Sequence, residues 1–316
     1  MITVVGEALV DLVGTAGRPR DFTALPGGSP ANVAVGLGRL GQEVVLATHL
    51  GDDTLGHLVR GHLEGSGVVL RQLGGAPAPT SLAIATVDGE GRADYDFRIT
   101  WDVRTPPPPG PGCLAVHTGS LAAGLAPGAD AVEAFLAAER ARGAVTLSLD
   151  PNVRPSLLPE RREVVSRVER QVAMVDVVKV SAEDLGWLYP GVPDTDVARR
   201  WLASGPGLVV VTLGRAGAYG MTAAAGEVRV AASPVDVVDT VGAGDAFTAG
   251  LLDRLGRAGL LGGDGRARLA VIGAEELRGA LRAASGVAAL TCTRRGAEPP
   301  TRAEVDAVFP APPPPA

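Results

Sequence analysis

Cysteine, histidine and aromatic residues are scarce in this chain. Its 316 residues hold two cysteines, Cys113 and Cys292, and four histidines, His49, His57, His62 and His117. The cysteines form no CxxC pair, which removes a zinc ribbon and leaves two reduced thiols of a cytoplasmic protein as the expectation. The histidines form no HExxH, the usual zinc-hydrolase signature. Aromatics make up 3% of the residues, so Ala, Val and Leu must fill the core. No apolar run approaches the roughly 20 residues that span a bilayer. The N-terminus enters an apolar strand pattern with no basic region or cleavage site before it, so a soluble protein without a membrane partner is expected. Basic residues number 29 against 35 acidic, a net charge of −6, and no basic cluster appears. That argues against nucleic acid as a partner, because phosphate-backbone binding needs clustered positive charge.

What is present is apolar and alternating. Hydrophobic residues make up 46% of the chain, and the length suits one large α/β domain with an appendage. Residues 1–5, 44–48, 114–117, 145–149, 176–180 and 208–213 read as short buried strands. Helical spacing occupies 54–64, 129–142, 160–175, 197–203, 245–255 and 275–290. Another helix is expected from Ser29 as N-cap and Pro30 at the first turn, with Val33, Ala34, Leu37 and Leu40 inward and Gly41 as the stop. In the 54–64 helix Leu55, Leu58, Val59 and Leu63 are expected to face the core. Strand and helix in alternation predict an open, mostly parallel sheet with helices on both faces. Two segments break the rhythm, and the second, 81–98, flanks the turn Asp88-Gly89-Glu90-Gly91. They predict a small β lid built from about 11–23 and 81–104, within a single domain over 1–309. Residues 105–111 form a Pro-rich connector, 256–265 a Gly-rich loop and 310–316 a Pro/Ala-rich tail.

The sharpest motif is Asp239-Thr240-Val241-Gly242-Ala243-Gly244-Asp245. Glycines just before a helix let backbone N–H groups converge, and the helix adds its positive end, which makes an anion hole. Asp245 in the first turn faces the same point. A carboxylate that accepts a hydroxyl proton beside such a cradle suits phosphoryl transfer, although the tetrapeptide alone also fits an ordinary acidic helix start. A second glycine turn, Gly27-Gly28-Ser29-Pro30-Ala31-Asn32, places the polar Asn32 beside an apolar helix stripe, where its amide needs a partner. Asp11 follows the first strand in Gly6-Glu7-Ala8-Leu9-Val10-Asp11. An Asp and an Asn near strand ends can hold vicinal hydroxyls at the carboxyl edge of a sheet. There is no Gly-Lys-Ser/Thr P-loop.

These two motifs, in this order, resemble the signatures of the ribokinase-like (PfkB) carbohydrate kinases, over nearly the whole chain. The resemblance implies a ribokinase-like α/β fold with a β-sheet lid, ATP and Mg²⁺ as cosubstrates, and Asp245 as the base. It implies an anion hole of Gly242, Ala243 and Gly244, and sugar contacts from Asp11, Gly27, Gly28 and Asn32. Thr212-Leu213-Gly214 and Gly217 resemble the family's nucleotide-binding turn, with Lys179 and Ser181 beside it. Ser181-Ala182-Glu183-Asp184 stands where relatives carry Asn-x-x-Glu, so Glu183 or Asp184 is expected to support Mg²⁺ through water. Asp239, Val241 and Gly296 match a region where relatives bind a monovalent cation, K⁺ being the candidate. The exposed edges of the lid predict a homodimer through it.

Three features bear on the sugar. The opening motif resembles bacterial fructokinases, whereas Asp150-Pro151-Asn152-Val153-Arg154-Pro155 resembles a motif shared by fructokinases and 2-keto-3-deoxygluconate kinases. Tyr95-Asp96-Phe97-Arg98 lies on the lid. Arg98 or Arg154 could pair with an acid sugar's carboxylate. Fructose is the favoured substrate, with a keto-acid sugar, ribose or a nucleoside as alternatives. A Rossmann dehydrogenase fails for want of Gly-x-Gly-x-x-Gly after the first strand. A non-catalytic sugar- or nucleotide-binding protein has no need of a base at an anion hole.

Overall fold

The computed structural model describes residues 1–15, 18–75, 77–87 and 93–309. The expected hairpin turn at 88–91 and the tail at 310–316 lie outside them. The first half of the chain runs β1 (Ile2–Val5), β2 (Leu9–Thr15), β3 (Arg18–Gly27), α1 (Ser29–Arg39), β4 (Val44–Thr48), α2 (Thr54–Gly65) and β5 (Val68–Gln72). It continues with β6 (Ser81–Val87), β7 (Ala93–Arg98), β8 (Ala115–Gly119), α3 (Ser120–Gly124), α4 (Gly128–Arg142) and β9 (Thr146–Asp150). Then come α5 (Arg161–Met174), β10 (Val177–Ser181), α6 (Ala182–Leu188), α7 (Asp194–Ser204), β11 (Leu208–Thr212), β12 (Ala218–Thr222) and β13 (Gly226–Val230). Four helices close the chain: α8 (Ala243–Arg257), α9 (Gly263–Leu269), α10 (Ala274–Cys292) and α11 (Arg302–Val308).

Nine strands form the main sheet in the order β13-β12-β11-β10-β9-β8-β1-β4-β5. All neighbours are parallel except β11–β12 and β12–β13. The strands carry apolar residues on both faces because helices cover both. Leu208 and Val210 pack with α1, α8 and α10, and Val209 and Val211 pack with α4, α5 and α7. Each such Val or Leu contributes about 1.5–3 kcal/mol when fully buried. β1 lies between β4 and β8, where the winding direction reverses. Ligands bind at the carboxyl edge of such a switch point. Here β9, β10 and β11 end there in Asp150, Ser181 and Thr212.

The second sheet, β3-β2-β6-β7, stands apart from the first. It starts at Leu9 and runs through Gly27, so it is longer than the 11–23 expected. Its far boundary is Arg98, not 104. Trp101 instead anchors the return to the main body: its indole N–H donates to the Ala122 carbonyl at 3.2 Å, and a Cβ on Gly128 would lie 2.3 Å from its ring. Three further expectations need correction. Gly28, at φ 101, caps α1, and Ser29 is already helical with its hydroxyl used elsewhere. Leu58 is 41% exposed and does not join the core. The 256–265 loop is only five residues, because α8 runs to Arg257 and α9 begins at Gly263.

Candidate active site

Helix α8 starts from Gly242, whose φ of 74 suits glycine. Ala243 N–H donates to the Thr240 carbonyl at 3.2 Å. It is therefore engaged within the turn, unlike Gly242 and Gly244, its neighbours in the expected anion hole. Among the described residues, the N–H groups of Gly242, Gly244 and Asp245 find no acceptor within the protein. These three donors, at the positive end of a 15-residue helix, form the cradle.

Asp245 is 7% exposed, and both its carboxylate oxygens are claimed. Ser29 Oγ donates to Oδ1 at 2.6 Å and Asn32 Nδ2 donates to Oδ2 at 2.8 Å. Asn32 thus has the partner its place on the helix demanded. Burial pushes the Asp245 carboxyl up, a nearby Asp150 adds to this, and Ser29, Asn32 and Lys179 oppose it. Lys179 is buried, and its Nζ donates to Asp150 Oδ2 at 2.8 Å. It lies against the cradle, 3.0 Å from where a Cβ on Gly244 would be. Burial opposes its charge, but Asp150, then Asp245 and Asp184, outweigh burial and hold it above the ordinary lysine range. Lys179 is thus a buried, paired cation beside the cradle.

Asp11 lies on β2, its Oδ2 2.1 Å from where a Cβ on Gly27 would be. Only glycine at 27 leaves room for that carboxylate. Gly28 is equally constrained, since a Cβ there would meet the Glu7 carbonyl at 2.7 Å. Burial pushes Asp11 up to about 6, with Arg154 pulling it down and Asp245 pushing it further up. Asp11, Arg154 and Asp245 are therefore electrostatic neighbours. Arg154 donates to Asn152 Oδ1 at 2.7 Å. Arg98 is set apart from this group. It is exposed on β7 and donates to Asp96 and to the Phe97 carbonyl. The side chain of Tyr95 lies outside the described residues.

A cleft of about 1250 Å³ opens beside the cradle. Its wall includes Lys179, Ser181, Glu183, Asp184, Thr212, Gly214 and Gly217, so the expected nucleotide residues are brought together with Asp245. Gly217, at φ 96, also packs where a Cβ would be 2.1 Å from the Val230 carbonyl. Asp184 is tied into the protein: it accepts from Val153 N–H at 3.0 Å and from Ser181 Oγ at 2.7 Å. Glu183 is exposed. Among the described residues, Asp150 Oδ1 is buried without a hydrogen-bond partner. Asp239 accepts from Val241 N–H at 3.1 Å and from Gly296 N–H at 2.8 Å, joining the three residues expected to surround a monovalent cation. Sequence reasoning read Ser29 only as a helix cap and Asp150 and Asn152 only as members of a sugar-kinase motif, with no contact to Asp245 or Lys179 foreseen. Their positions at a glycine turn and a strand end were visible, but their partners are distant in sequence.

The pfkB family carbohydrate kinase model matches residues 1–304. The chain belongs to this family. As a pfkB carbohydrate kinase it is a phosphotransferase with an alcohol group as acceptor. It is 36% identical over 273 residues to a fructokinase of Rhizobium leguminosarum bv. trifolii, covering 83% of this chain and 81% of that protein. Its fold matches a Xylella fastidiosa fructokinase crystallised with bound ATP, with a TM-score of 0.83, 26% identity and 98% of each chain covered. A Vibrio cholerae O395 fructokinase, in a form with fructose, ADP and calcium ion bound, matches with a TM-score of 0.79, 28% identity and 97% of each chain covered.

Proposed function

We propose that this pfkB kinase transfers the γ-phosphoryl group of ATP to a hydroxymethyl group of fructose. The carrying observation is the convergence of the Asp245 carboxylate with three unused backbone N–H donors at one end of the cleft. The sugar oxygen forms a bond to the γ-phosphorus, the bridging bond to the β-phosphate breaks, and ADP leaves with that bridging oxygen. Asp245 accepts the hydroxyl proton. Gly242, Gly244 and Asp245 N–H groups and Lys179 stabilise the charge on the migrating group. The strand-end residues Thr212, Gly214 and Gly217 hold the nucleotide, and Asp11, Gly28 and Asn32 hold the sugar.

The carboxylates present fit a hard cation. Asp150 Oδ1 is an orphaned buried oxygen and Glu183 is uncommitted at the cleft wall. Magnesium would neutralise the triphosphate there, held through water by Glu183 or Asp184 at the cleft wall, with the buried Asp150 as a further negative neighbour of Asp184. The Asp239, Val241 and Gly296 cluster supports a potassium requirement. Exposed Phe22 and Leu25 on β3 support self-association through the second sheet.

A neutral sugar is favoured over a keto acid because both candidate arginines are engaged: Arg98 with Asp96, and Arg154 with Asn152. The test is an ADP-release screen across ketoses, keto-acid sugars, ribose and nucleosides, with Asp245→Asn alongside. Fructose should be turned over fastest, and Asp245→Asn should lower kcat by roughly 10²–10⁴. Equal turnover of a keto acid would remove fructose, and near-normal Asp245→Asn turnover would remove the base.

A further inference from the structure

Asp245 Oδ1 is the end of a hydrogen-bond chain that begins at Arg154. Arg154 Nη1 donates to Asn152 Oδ1 at 2.7 Å, Asn152 Nδ2 donates to Ser29 Oγ at 2.8 Å, and Ser29 Oγ donates to Asp245 Oδ1 at 2.6 Å. The polarity of this chain is forced from its far end. A guanidinium has only donors, so the atom of Asn152 that faces it must be the carbonyl oxygen. That turns the amide NH₂ group toward Ser29, which settles an orientation that is otherwise ambiguous for asparagine. Ser29 Oγ then accepts from Asn152, and its single proton has Asp245 as its acceptor.

The backbone is bent to build this chain. Asn152 sits at φ 37, one of two described non-glycine residues with positive φ. Such a conformation costs about 1–3 kcal/mol, although asparagine tolerates it better than most residues. The strain falls on the middle member, the one that reverses a donor into an acceptor.

We propose that Arg154, Asn152 and Ser29 form a polarised donor chain that holds Asp245 as an ionised acceptor, which makes Ser29 and Asn152 positioning residues for phosphoryl transfer. This rests on the reading of Asp245 as the base. The groups around Asp245 make such a device necessary. Burial and Asp150 on β9 favour its protonated form, and Asp11 on β2 is a further negative neighbour. Against them stand Lys179 on β10, Asn32 on α1 and the Ser29 hydroxyl. Removing the last donor shifts the balance toward a neutral acid, which accepts a proton poorly.

The test is kcat/KM for the sugar as a function of pH, which reports ionisation in the free enzyme. Ser29→Ala should move the acid limb upward by about one pH unit, because a hydrogen bond to the charged form is lost. Its loss should approach tenfold on the acid side of the limb and fade as pH rises above it. Asn152→Asp keeps the size and the Arg154 contact but removes the amide donor. Ser29 would then turn its proton to the new carboxylate, and the limb should move at least as far as in Ser29→Ala. Ser29→Thr, which keeps the hydroxyl, should return the limb toward wild type. Unmoved limbs in both Ser29→Ala and Asn152→Asp, or equal losses at every pH, would overturn the chain. If Asp245→Asn is inactive in that case, the base reading stands alone. An active Asp245→Asn enzyme would sink the base and the chain together.

Discussion

Asp11 lies across the backbone of Gly27, close enough to Asp245 to feel its charge. Burial has raised its carboxyl to about 6, so it is ionised above that pH and protonated below it. In the proposed sugar pocket an ionised Asp11 would accept sugar hydroxyls, and a protonated one would lose most of that capacity. The KM for sugar should therefore rise as pH falls through 6, by about tenfold between pH 7.5 and pH 5. Asp11→Ala should raise KM by about 10- to 100-fold at pH 7.5, the worth of one or two hydrogen bonds to a charged group, and flatten its pH dependence. A wild-type KM independent of pH would place Asp11 outside the sugar pocket. At this scale the sequence marks the residues that break a pattern: Asp245 beside glycines, Asn32 beside an apolar stripe. It does not mark Ser29 as a partner of Asp245, because serine before proline reads first as a helix cap. The glycine ahead of it took that role at φ 101 and freed the hydroxyl.

Helix α8 carries Asp245 at its start and is pressed between α1 and α10 further along. A Cβ on Gly36 would lie 2.7 Å from the Ala249 Cβ, and one on Gly250 would lie 2.9 Å from Val287 Cγ2 and 3.0 Å from the Ala284 Cα. These glycines set how closely the helices approach. Gly250→Ala should force α8 away from α10 and cost about 1–3 kcal/mol through overpacking, with a lower Tm and a reduced kcat as the cradle shifts. Gly186 on α6 is the control, since a Cβ there meets nothing within 4 Å. Gly186→Ala should stabilise by roughly 0.5–1 kcal/mol through helix propensity alone. Thermal denaturation of both variants checks the pair, and a rise in Tm for Gly250→Ala would mean the helices part freely. Long helices announce themselves by periodicity, and strands such as β11 by a nearly unbroken apolar run. The β12–β13 hairpin does not: β12 reads Ala-Tyr-Gly-Met-Thr, and its Gly220 is there because α10 lies on it, with Leu277 Cδ1 3.0 Å from a would-be Cβ. The short helices α3, α6, α9 and α11 span too few turns to show a period.

Across the whole molecule, alternation of strands and helices made the open sheet legible, and the register between distant strands was not. Glu7 shows what that register demands. It follows β1, is 3% exposed, and accepts from Ala122 N–H at 2.9 Å, so it ties the centre of the sheet to α3. Burial raises it from 4.5 to about 7, against hydrogen bonds from its own backbone, Ser120 and Ala122 and the charge of Arg154. The folded form therefore holds a proton that the unfolded chain releases between pH 4.5 and 7. Stability is lost as pH rises through that window, by on the order of 3 kcal/mol once pH exceeds 7. Glu7→Gln should raise Tm at pH 8 by several degrees and have little effect near pH 4.5. Thermal scans at both values decide it, and an equal change at each would mean Glu7 ionises normally. One joint links all of this. The second sheet ends at Gly27, the helix bearing Ser29 and Asn32 begins at Ser29, and Gly28 alone separates them. Through this one residue β3 passes directly into the helix that carries the two side chains gripping Asp245. Under the proposed function, a sugar that moved the small sheet would therefore also move the two groups that orient the proton acceptor, so that occupancy of the pocket and the aim of Asp245 would be coupled.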